Sequence, residues 1–353
     1  MPGKKLTEDE ILKLFRKKLG LTGASALNIA GNSDDAAIMP LLESRFALAT
    51  AYPTRNAVLD DSIVLTQDGM VEGVHFRLGY YSPAQAADKC MAVNLSDLAA
   101  MGATPLGALV YVGLPRKYSN EPFVASLADG LRSSMRKYHY TVFGGDLTSA
   151  HHLTISAAFV GSVKRSSALM RNGAKPGDAI FLSGRIGAAS LGLRVLEAPR
   201  SSKLARSKSS YSKSIQRALT PQPRVKLGLE LAACGFVTSC IDLSDSLSKS
   251  LLLLAGESNV GIEAEVTPRM LHPEVNRHFG KMKPLELLRV AMSAEEDFEL
   301  LFVANDKHAE DILRLSPGVL RIGRIVEKRY GVQALIEGGS FDVPLLGYEH
   351  FGK

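Results

Sequence analysis

Residues 92–109 read AVNLSDLAAMGATPLGAL, and this stretch decides how the first part of the chain folds. Alanine, leucine and methionine dominate residues 83–101, and this composition predicts an α-helix. Gly102 follows directly and is the expected helix stop, because glycine readily adopts the left-handed conformation that ends many helices. Residues 106–114 are then predicted to form a strand. The pattern indicates mixed helices and strands packed around a core.

Acidic residues recur at comparable positions along the chain. Asp68, Asp146 and Asp242 each come where an apolar, strand-like stretch gives way to a predicted turn. Asp97 lies inside the apolar helix, with Asn94 three residues earlier on the same face. Lone carboxylates are costly to bury, so we expect these acids to have a cationic partner. Magnesium prefers such oxygen ligands together with water and phosphate oxygens, which favours a metal and phosphate site.

Most of the acids also have an ordinary structural explanation when they are taken singly. Asp34 and Asp35 follow a glycine turn, where an acid is typical of a turn or a helix cap. Asp146 follows two glycines and suits an ordinary turn, and Asp245 suits the N-cap of the helix that comes after it. Asp97 is the hardest to explain in this way, so the metal site depends on the whole set. The standard phosphate loop and protein-kinase motifs are missing.

Composition limits the class of protein. The chain has 353 residues, 46% hydrophobic and 22% charged, which is typical of a soluble globular protein with two domains. The formal net charge is +6, and residues 200–213 are rich in Lys and Arg and hold no acid. We interpret this run as a solvated, mobile surface loop rather than a nucleic-acid site, because no arginine-rich arm, zinc finger or RNP-like motif accompanies it.

Cysteine usage and hydropathy bear on the compartment. The three cysteines, Cys90, Cys234 and Cys240, form no CxxC pair, which indicates a reducing environment. The first residues lack the apolar core of a signal peptide. No stretch approaches the ~18 continuous apolar residues of a membrane span. We therefore expect a cytoplasmic protein without a membrane or nucleic-acid partner.

The ordered motifs resemble those of the thiamine-monophosphate kinases, in the superfamily of aminoimidazole ribonucleotide synthetase and selenophosphate synthetase. The similar blocks span nearly the whole chain in the family's order. They are GNSDDAAI at 31–38, LTQDGMVEGVHF at 65–76, AVNLSDLAAMGATPLGAL at 92–109, FGGDLTSA at 143–150, RNGAKPGDAIFLSG at 171–184, PQPRVKLG at 221–228, IDLSDSL at 241–247, SAEEDFELLF at 293–302 and GYEHF at 347–351.

The resemblance implies a fold and a reaction. The fold is a two-domain α/β and α+β architecture, with a PurM-like N-terminal domain at 1–165 that binds metal and ATP. A PurM-like C-terminal domain at 166–353 binds the substrate, and the N-terminal sheet pairs with its twin in a homodimer. The implied reaction is a magnesium-assisted, direct in-line phosphoryl transfer from ATP to thiamine monophosphate, which gives thiamine diphosphate.

The resemblance also implies roles for individual residues, each by its position in the similar blocks. The implied magnesium ligands are Asp34, Thr66, Gln67, Asp68, Asp97, Asp146, Asp242 and Asp245. The implied catalytic residues are Asp97, Asp146 and Asp242. The implied nucleotide contacts are Gly145, Asp146, Arg171 and Ser244. The residues implied to line the thiamine pocket are His75, Glu296 and Tyr348.

The chain departs from the family pattern at several places. Gln67 stands where the family has a hydroxyl residue, although an amide oxygen is also able to ligate a metal. Ser246 stands where the family has glycine, which removes the freedom to adopt a positive φ angle. Residues 294–295 replace a Gly-Gly pair at the thiamine end. Residues 51–61 and 197–214 look like insertions.

Three rival functions remain open at this point. The first is another ATP-dependent enzyme of the superfamily, but a selenophosphate synthetase would need a reactive N-terminal Cys. A hydrogenase-maturation homologue would end in a reactive Cys, and this sequence ends HFGK. The second is a non-catalytic sensor of nucleotide or thiamine phosphate, suggested by Gln67 and Ser246. The third is RNA binding, whose signature would be a steep salt dependence.

Overall fold

The computed structural model describes residues 37–40 and 61–347, and these form two halves that are each built on one β-sheet. The predicted metal ligand Asp34, the predicted thiamine-pocket residue Tyr348 and residues 51–60 of the first insertion lie outside the described residues. The predicted domain boundary near residue 165 falls between the last strand of the first sheet and the first strand of the second.

Within the described part of the first half, a five-stranded sheet has the order β1-β2-β5-β3-β4, with parallel pairing only between β3 and β4. Its strands are β1 Ala37–Pro40, β2 Asp61–Val71, β3 Thr104–Leu114, β4 Thr141–Ser149 and β5 Thr154–Lys164. Its helices are α1 Pro83–Ala100 and α2 Glu121–Tyr138.

Helix α1 confirms the prediction from residues 83–101. Ser82 caps it in a capping box with Gln85, and Pro83 occupies the first turn, where its missing N–H costs nothing. The following Gly102 has φ +65°, which is the left-handed conformation expected of a helix stop. Because its side chains are mostly small or apolar, most of the helix is buried and packs on β2 and β5.

Two strands are longer than the sequence predicts. Strand β2 continues past Asp68 to Val71, because β5 pairs with it residue for residue along its whole length. Strand β4 continues past Asp146 to Ser149, because it pairs with β3. Asp68 and Asp146 therefore lie inside strands, and the prediction that they follow strand ends is wrong.

The second half contains a seven-stranded sheet in the order β12-β11-β8-β10-β6-β9-β7. Its strands are β6 Ala179–Leu182, β7 Val237–Asp242, β8 Gly261–Glu265, β9 Leu300–Ala304, β10 Leu320–Val326, β11 Val332–Ile336 and β12 Gly339–Asp342. Its helices are α3 Ala188–Glu197, α4 Lys203–Arg206, α5 Ser212–Leu219, α6 Val225–Cys234, α7 Leu247–Ser258, α8 Pro273–Phe279, α9 Pro284–Met292 and α10 Ala309–Leu315. Asp242 is the last residue of β7, as predicted.

The basic segment is largely helical, so the prediction of a solvated loop at 200–213 is wrong. It holds α4, a 3₁₀ turn and the start of α5. Helix α5 packs closely on α3: a Cβ at Gly192 would lie 2.0 Å from the carbonyl oxygen of Ser214. The segment folds because its partly buried Leu204 and Tyr211 pack against the core of the second half, while its charged side chains face outward.

The two halves share a packed junction. Helix α6 of the second half lies against α1 of the first, and a Cβ at Gly228 would lie 2.2 Å from the carbonyl oxygen of Ala99. One continuous apolar cluster runs from α1 into β6 and β9, where the rings of Phe181 and Phe302 stack. The predicted two-domain architecture of mixed helices and sheets is confirmed. No helix at 61–347 is long and apolar enough to cross a membrane.

Candidate active site

The helix-covered face of the first sheet carries part of the predicted metal set. Thr66 Oγ1 on β2 donates to Asp97 Oδ2 on α1 at 2.5 Å. The backbone N–H of Asp68 donates to Asn94 Oδ1 at 2.9 Å, and Asn94 Nδ2 donates to the Cys90 carbonyl at 2.9 Å. The buried amide of Asn94 thus fixes the strand against the helix, at the point where the acids lie.

Two other predicted ligands lie on the opposite face of that sheet. Successive strand residues point to opposite faces, so Gln67 faces away from Thr66 and α1. Gln67 Nε2 lies 3.5 Å from Ser156 Oγ on β5. Asp146 on β4 is in register with Tyr111, which in turn is in register with Ser156, so these residues share one face. Within one chain, the structure therefore does not bring Gln67 and Asp146 together with Asp97.

Gly145 is required by packing next to Asp146. A Cβ at Gly145 would lie 1.7 Å from the carbonyl oxygen of Val110, so β4 could not pair with β3 if a larger residue stood there. The glycine at position 145 is therefore explained by the close pairing of β4 with β3. The nucleotide role of Gly145 and Asp146 stays a prediction, and the Asp146 side chain is exposed.

Asp242 connects the two halves. Its buried carboxylate accepts from Ser96 Oγ on α1 at 2.7 Å and from Ser244 Oγ at 3.4 Å. Ser96 directly precedes Asp97 on α1. Two predicted metal carboxylates, one from each half, are therefore held beside the same turn of one helix.

The loop after β7 pairs with the loop before β9, and this places Glu296, which is predicted to line the thiamine pocket, beside the residues that follow Asp242. The Glu296 N–H donates to the Ser244 carbonyl at 2.8 Å, and the Phe298 N–H donates to the Leu243 carbonyl at 3.1 Å. Glu296 and Phe298 have φ angles of +57° and +49°, which are unusual for residues with a side chain. Such strain is tolerated when surrounding contacts fix the backbone, and it is common at functional sites.

The structure adds a residue that the sequence reasoning missed. Lys89 on α1 is buried, and its ammonium donates to both carboxylate oxygens of Glu296 at 2.9 Å and to the Tyr81 hydroxyl at 3.1 Å. Burial opposes the charge of Lys89, but the Glu296 carboxylate and the Tyr81 hydroxyl together outweigh burial, and the pKa of Lys89 is raised. A charged residue inside an apolar helix is the same signal that singled out Asp97, and it could have identified Lys89.

Two further buried acids shape this loop. The Asp297 carboxylate accepts from the backbone N–H groups of Gly187 and of Ala189, the latter at 3.0 Å, so it caps the N-terminus of α3. Glu299 accepts from Arg217 at 2.6 Å and from Arg224 Nε at 2.6 Å. These contacts anchor the loop to α3, α5 and the start of α6.

One substitution relative to the family, Ser246, has a local explanation. Ser246 has φ 179°, which any residue adopts, so serine replaces glycine without strain. Its side chain caps α7 by accepting from the Lys249 N–H at 3.0 Å. Ser246 therefore caps this helix in place of Asp245, whose carboxylate pairs with the Lys249 ammonium.

Glu295, one of the two residues that replace Gly-Gly, has a shifted pKa. Burial, and then the Glu296 and Asp245 carboxylates, raise the pKa of Glu295 to about 7.

Two other predicted site residues, Arg171 and His75, are held by hydrogen bonds within their own halves. Ser239 and Ser258 hydroxyls donate to the Arg171 carbonyl at 2.6 and 3.1 Å, which fixes that residue against β7 and α7. His75 Nδ1 accepts from the Val71 N–H at 3.1 Å, which closes the turn after β2. The roles predicted for Arg171 and His75 in binding remain predictions.

The donor set fits magnesium in its chemistry. The carboxylates and hydroxyls around Asp97 and Asp242 are all oxygen donors, which suit Mg²⁺. Among residues 61–347, no three His, Cys, Asp or Glu side chains are grouped closely enough to hold a metal by themselves. Magnesium in nucleotide enzymes is usually bound by one or two carboxylates plus phosphate oxygens and water, so such a group is not required.

Family comparisons agree with this architecture. The AIR synthase related protein N-terminal domain matches residues 33–163, and the AIR synthase related protein C-terminal domain matches residues 175–334. The fold and the site at the junction of the halves therefore define a class, the two-domain AIR synthase related proteins.

Individual relatives narrow the class. The chain is 30% identical over 309 residues to the thiamine-monophosphate kinase of Bacillus subtilis, covering 86% of this chain and 91% of the relative. It is 33% identical over 294 residues to that of Escherichia coli K12, covering 82% and 87%. A solved structure described as AaThiL complexed with AMPPCP and TMP matches with a TM-score of 0.77 and 26% identity, covering 99% and 100%. The chain belongs to the thiamine-monophosphate kinase family and is an enzyme of that kind.

Proposed function

We propose that the protein transfers the γ-phosphoryl group of ATP directly to the phosphate of thiamine monophosphate, which gives thiamine diphosphate and ADP. The observation that carries this proposal is the junction at which Asp97 and Asp242, from different halves, lie beside the same turn of α1. Glu296 adjoins them through its backbone bond to Ser244. The relative solved with AMPPCP, an analogue of ATP, and TMP supports both ligands.

Magnesium is the cofactor we assign to the acids. Bound there, Mg²⁺ would neutralise the charge of two anionic reactants, which is the principal requirement of phosphoryl transfer. Asp97 and Asp242 would hold it, with Asp68 adjacent and Asp34 supplied by the N-terminal region. Thr66 and Ser96 orient the two carboxylates through short hydrogen bonds, so their lone pairs point in fixed directions.

The acceptor needs positioning more than activation. Its phosphate is already ionised at neutral pH, so no strong general base is required, and in-line attack depends on holding the reactants together. The Glu296 carboxylate suits a cationic thiazolium ring, and an aromatic residue such as Tyr348 would add a favourable cation–π contact. We assign Arg171 and Ser244 to the nucleotide phosphates.

We also propose that the active form is a homodimer. The face of the first sheet that points away from α1 exposes several large apolar residues, which is unusual for a monomer. They are Leu65, Leu106, Leu109, Tyr111 and Phe143. A second copy on this face would lie against Gln67 and Asp146, which are otherwise remote from the other acids. We place the enzyme in the cytoplasm, where its nucleotide co-substrate is available.

An acceptor panel tests the proposed function. The purified chain is incubated with ATP and Mg²⁺ and with thiamine monophosphate, thiamine or an aminoimidazole precursor, and the products are identified by mass spectrometry. We expect thiamine diphosphate from thiamine monophosphate and no phosphorylated product from the other two. Turnover of the aminoimidazole precursor alone would assign the chain to another branch of the superfamily.

A further inference from the structure

We propose that Lys89 is a positioning residue of the acceptor site, which holds the Glu296 carboxylate in the orientation that receives the cationic ring of the acceptor. The inference rests on the proposed function, since it concerns the thiamine end of that same site. It goes further by assigning a task to a buried cation for which the phosphoryl transfer itself has no need.

The contact geometry is that of a fixed clamp. The Lys89 ammonium lies 2.9 Å from each oxygen of Glu296, and the Lys89 side chain is only 2% exposed. A third contact, to the Tyr81 hydroxyl at 3.1 Å, uses its remaining hydrogen-bonding capacity. Tyr81 is itself fixed, because its hydroxyl donates to the Ala218 carbonyl at 2.8 Å. The ammonium therefore cannot swing away without breaking a buried network.

The Glu296 carboxylate is shared between a buried side and an open side. Its side chain contacts Lys89 and is still 31% exposed, so part of it remains open to solvent. Within residues 61–347, its side-chain hydrogen bonds come from Lys89 alone. A long, partly exposed carboxylate without this partner would sample several rotamers. The clamp leaves one orientation, and an acceptor binds more tightly to a group that is already ordered.

Electrostatic surroundings make the clamp necessary. Glu295 precedes Glu296, and the Glu295 carboxylate interacts unfavourably with those of Glu296 and Asp245. These three carboxylates lie in one partly buried region and repel one another. The Lys89 ammonium is the cation bonded to Glu296. The raised pKa of Lys89 agrees with this, because the ammonium stays charged despite its burial.

A structural interpretation must be distinguished from this one. A buried lysine often pairs with a carboxylate only to avoid an isolated charge. If that were its whole purpose, Lys89→Met would lower stability and reduce the active fraction, which lowers the apparent kcat without selective change in either KM. A positioning residue instead changes the KM for the acceptor and leaves the KM for ATP alone.

The test is a kinetic comparison of K89M, E296Q and the double variant, with K117M as the matched control because Lys117 is an exposed lysine on the first half. We expect K89M to raise the KM for thiamine monophosphate by about tenfold or more, while the KM for ATP changes by less than about twofold. In the E296Q background, K89M should have almost no further effect on the acceptor KM. K117M should behave like the wild type.

A second variant guards against misfolding. K89Q loses the charge but keeps an N–H donor for Tyr81, and it should give the same split between the two KM values. Equal rises in both KM values, or additive effects of K89M and E296Q on the acceptor KM, would overturn the inference. A wild-type chain that forms no thiamine diphosphate would defeat the proposed function and this inference with it. A wild type that turns over while K89M and K89Q match it would defeat this inference alone.

Discussion

Ser96 Oγ donates to Asp242 Oδ2 at 2.7 Å, and this bond joins α1 of the first half to the end of β7 in the second. The next residue, Asp97, accepts from Thr66 at 2.5 Å. At one turn of α1, a hydroxyl therefore holds an acid from each half. Ser96 holds Asp242, and Thr66 of β2 holds Asp97. The candidate active site is therefore assembled by the packing of the two halves, and perturbing this contact should affect both stability and activity.

Removing the Ser96 hydroxyl tests that relationship. In S96A the buried Asp242 carboxylate loses a donor, which should lower the free energy of unfolding by about 1–3 kcal/mol. We also expect kcat to fall by about tenfold, because the carboxylate is no longer held in one orientation. Urea unfolding and steady-state kinetics measure the two effects. S119A, at an exposed serine, is the control, and an S96A enzyme with wild-type kcat would contradict the account.

Neutralising Asp97 tests the assignment of the acids. D97N keeps the shape of the side chain and is still able to accept from Thr66, so the fold should survive. Loss of the negative charge should lower the rate of thiamine diphosphate formation by about 100-fold or more, as is typical when a charge that organises phosphoryl transfer is removed. D129N, at an exposed Asp on α2 that pairs with Arg132, is the matched control. Full activity of folded D97N would rule out the proposed role.

The variant E299Q tests whether the ion pairs of Glu299 stabilise the loop before β9. The Glu299 carboxylate is fully buried and pairs with Arg217 and Arg224. In E299Q the two guanidinium groups lose their anionic partner, and we expect a loss of about 3–5 kcal/mol in the free energy of unfolding. E263Q removes a carboxylate that pairs with the exposed Arg324 and should cost no more than about 1 kcal/mol. Chemical denaturation of both variants checks this, and equal losses would be inconsistent with the buried network.

Glu295 gives the protein a predicted pH dependence. Burial, followed by the Glu296 and Asp245 carboxylates, raises its pKa from 4.5 to about 7. The folded state therefore binds a proton more tightly than the unfolded state, so the stability from this group is present below pH 4.5 and is lost as the pH rises through about 7.

The variant E295Q removes this titration. Its free energy of unfolding should exceed that of the wild type at pH 8 by on the order of 1–3 kcal/mol, and the difference should shrink as the pH falls toward 4.5. Denaturation is followed without Mg²⁺ or nucleotide, so that only the protein's own groups contribute. S293A, at the exposed neighbour, serves as the control. A difference that stayed constant between pH 4.5 and pH 8 would show that Glu295 does not titrate in this range.

Local sequence predicts the elements whose cause is local. The composition and glycine stop at 83–102 predict α1 almost to the residue, and residues 106–114 lie within β3 as expected. The sequence could not show that Asp68 and Asp146 lie inside strands, because pairing with β5 and β3 extends those strands. The helical character of residues 203–219 was equally hidden, since contact with α3 stabilises a segment whose composition is typical of a loop.

In the candidate site, too, the sequence predicts what has a local cause and does not predict what depends on strand pairing. Asp97 and Asp242 could be recognised because a charge in an apolar helix or at the end of a buried strand requires a partner. Lys89 carried the same signal and was missed. That Gln67 and Asp146 face away from Asp97 depends on strand register, which a list of motifs does not contain.

The stoichiometry of the reaction tests the central claim most directly. The purified wild-type chain is mixed with ATP, Mg²⁺ and thiamine monophosphate, and ADP, inorganic phosphate and thiamine diphosphate are quantified over several turnovers. The account predicts one thiamine diphosphate for each ADP, with no inorganic phosphate released. ATP binding without ADP formation would mark a sensor, and ADP formed with inorganic phosphate but without thiamine diphosphate would contradict direct transfer to this acceptor.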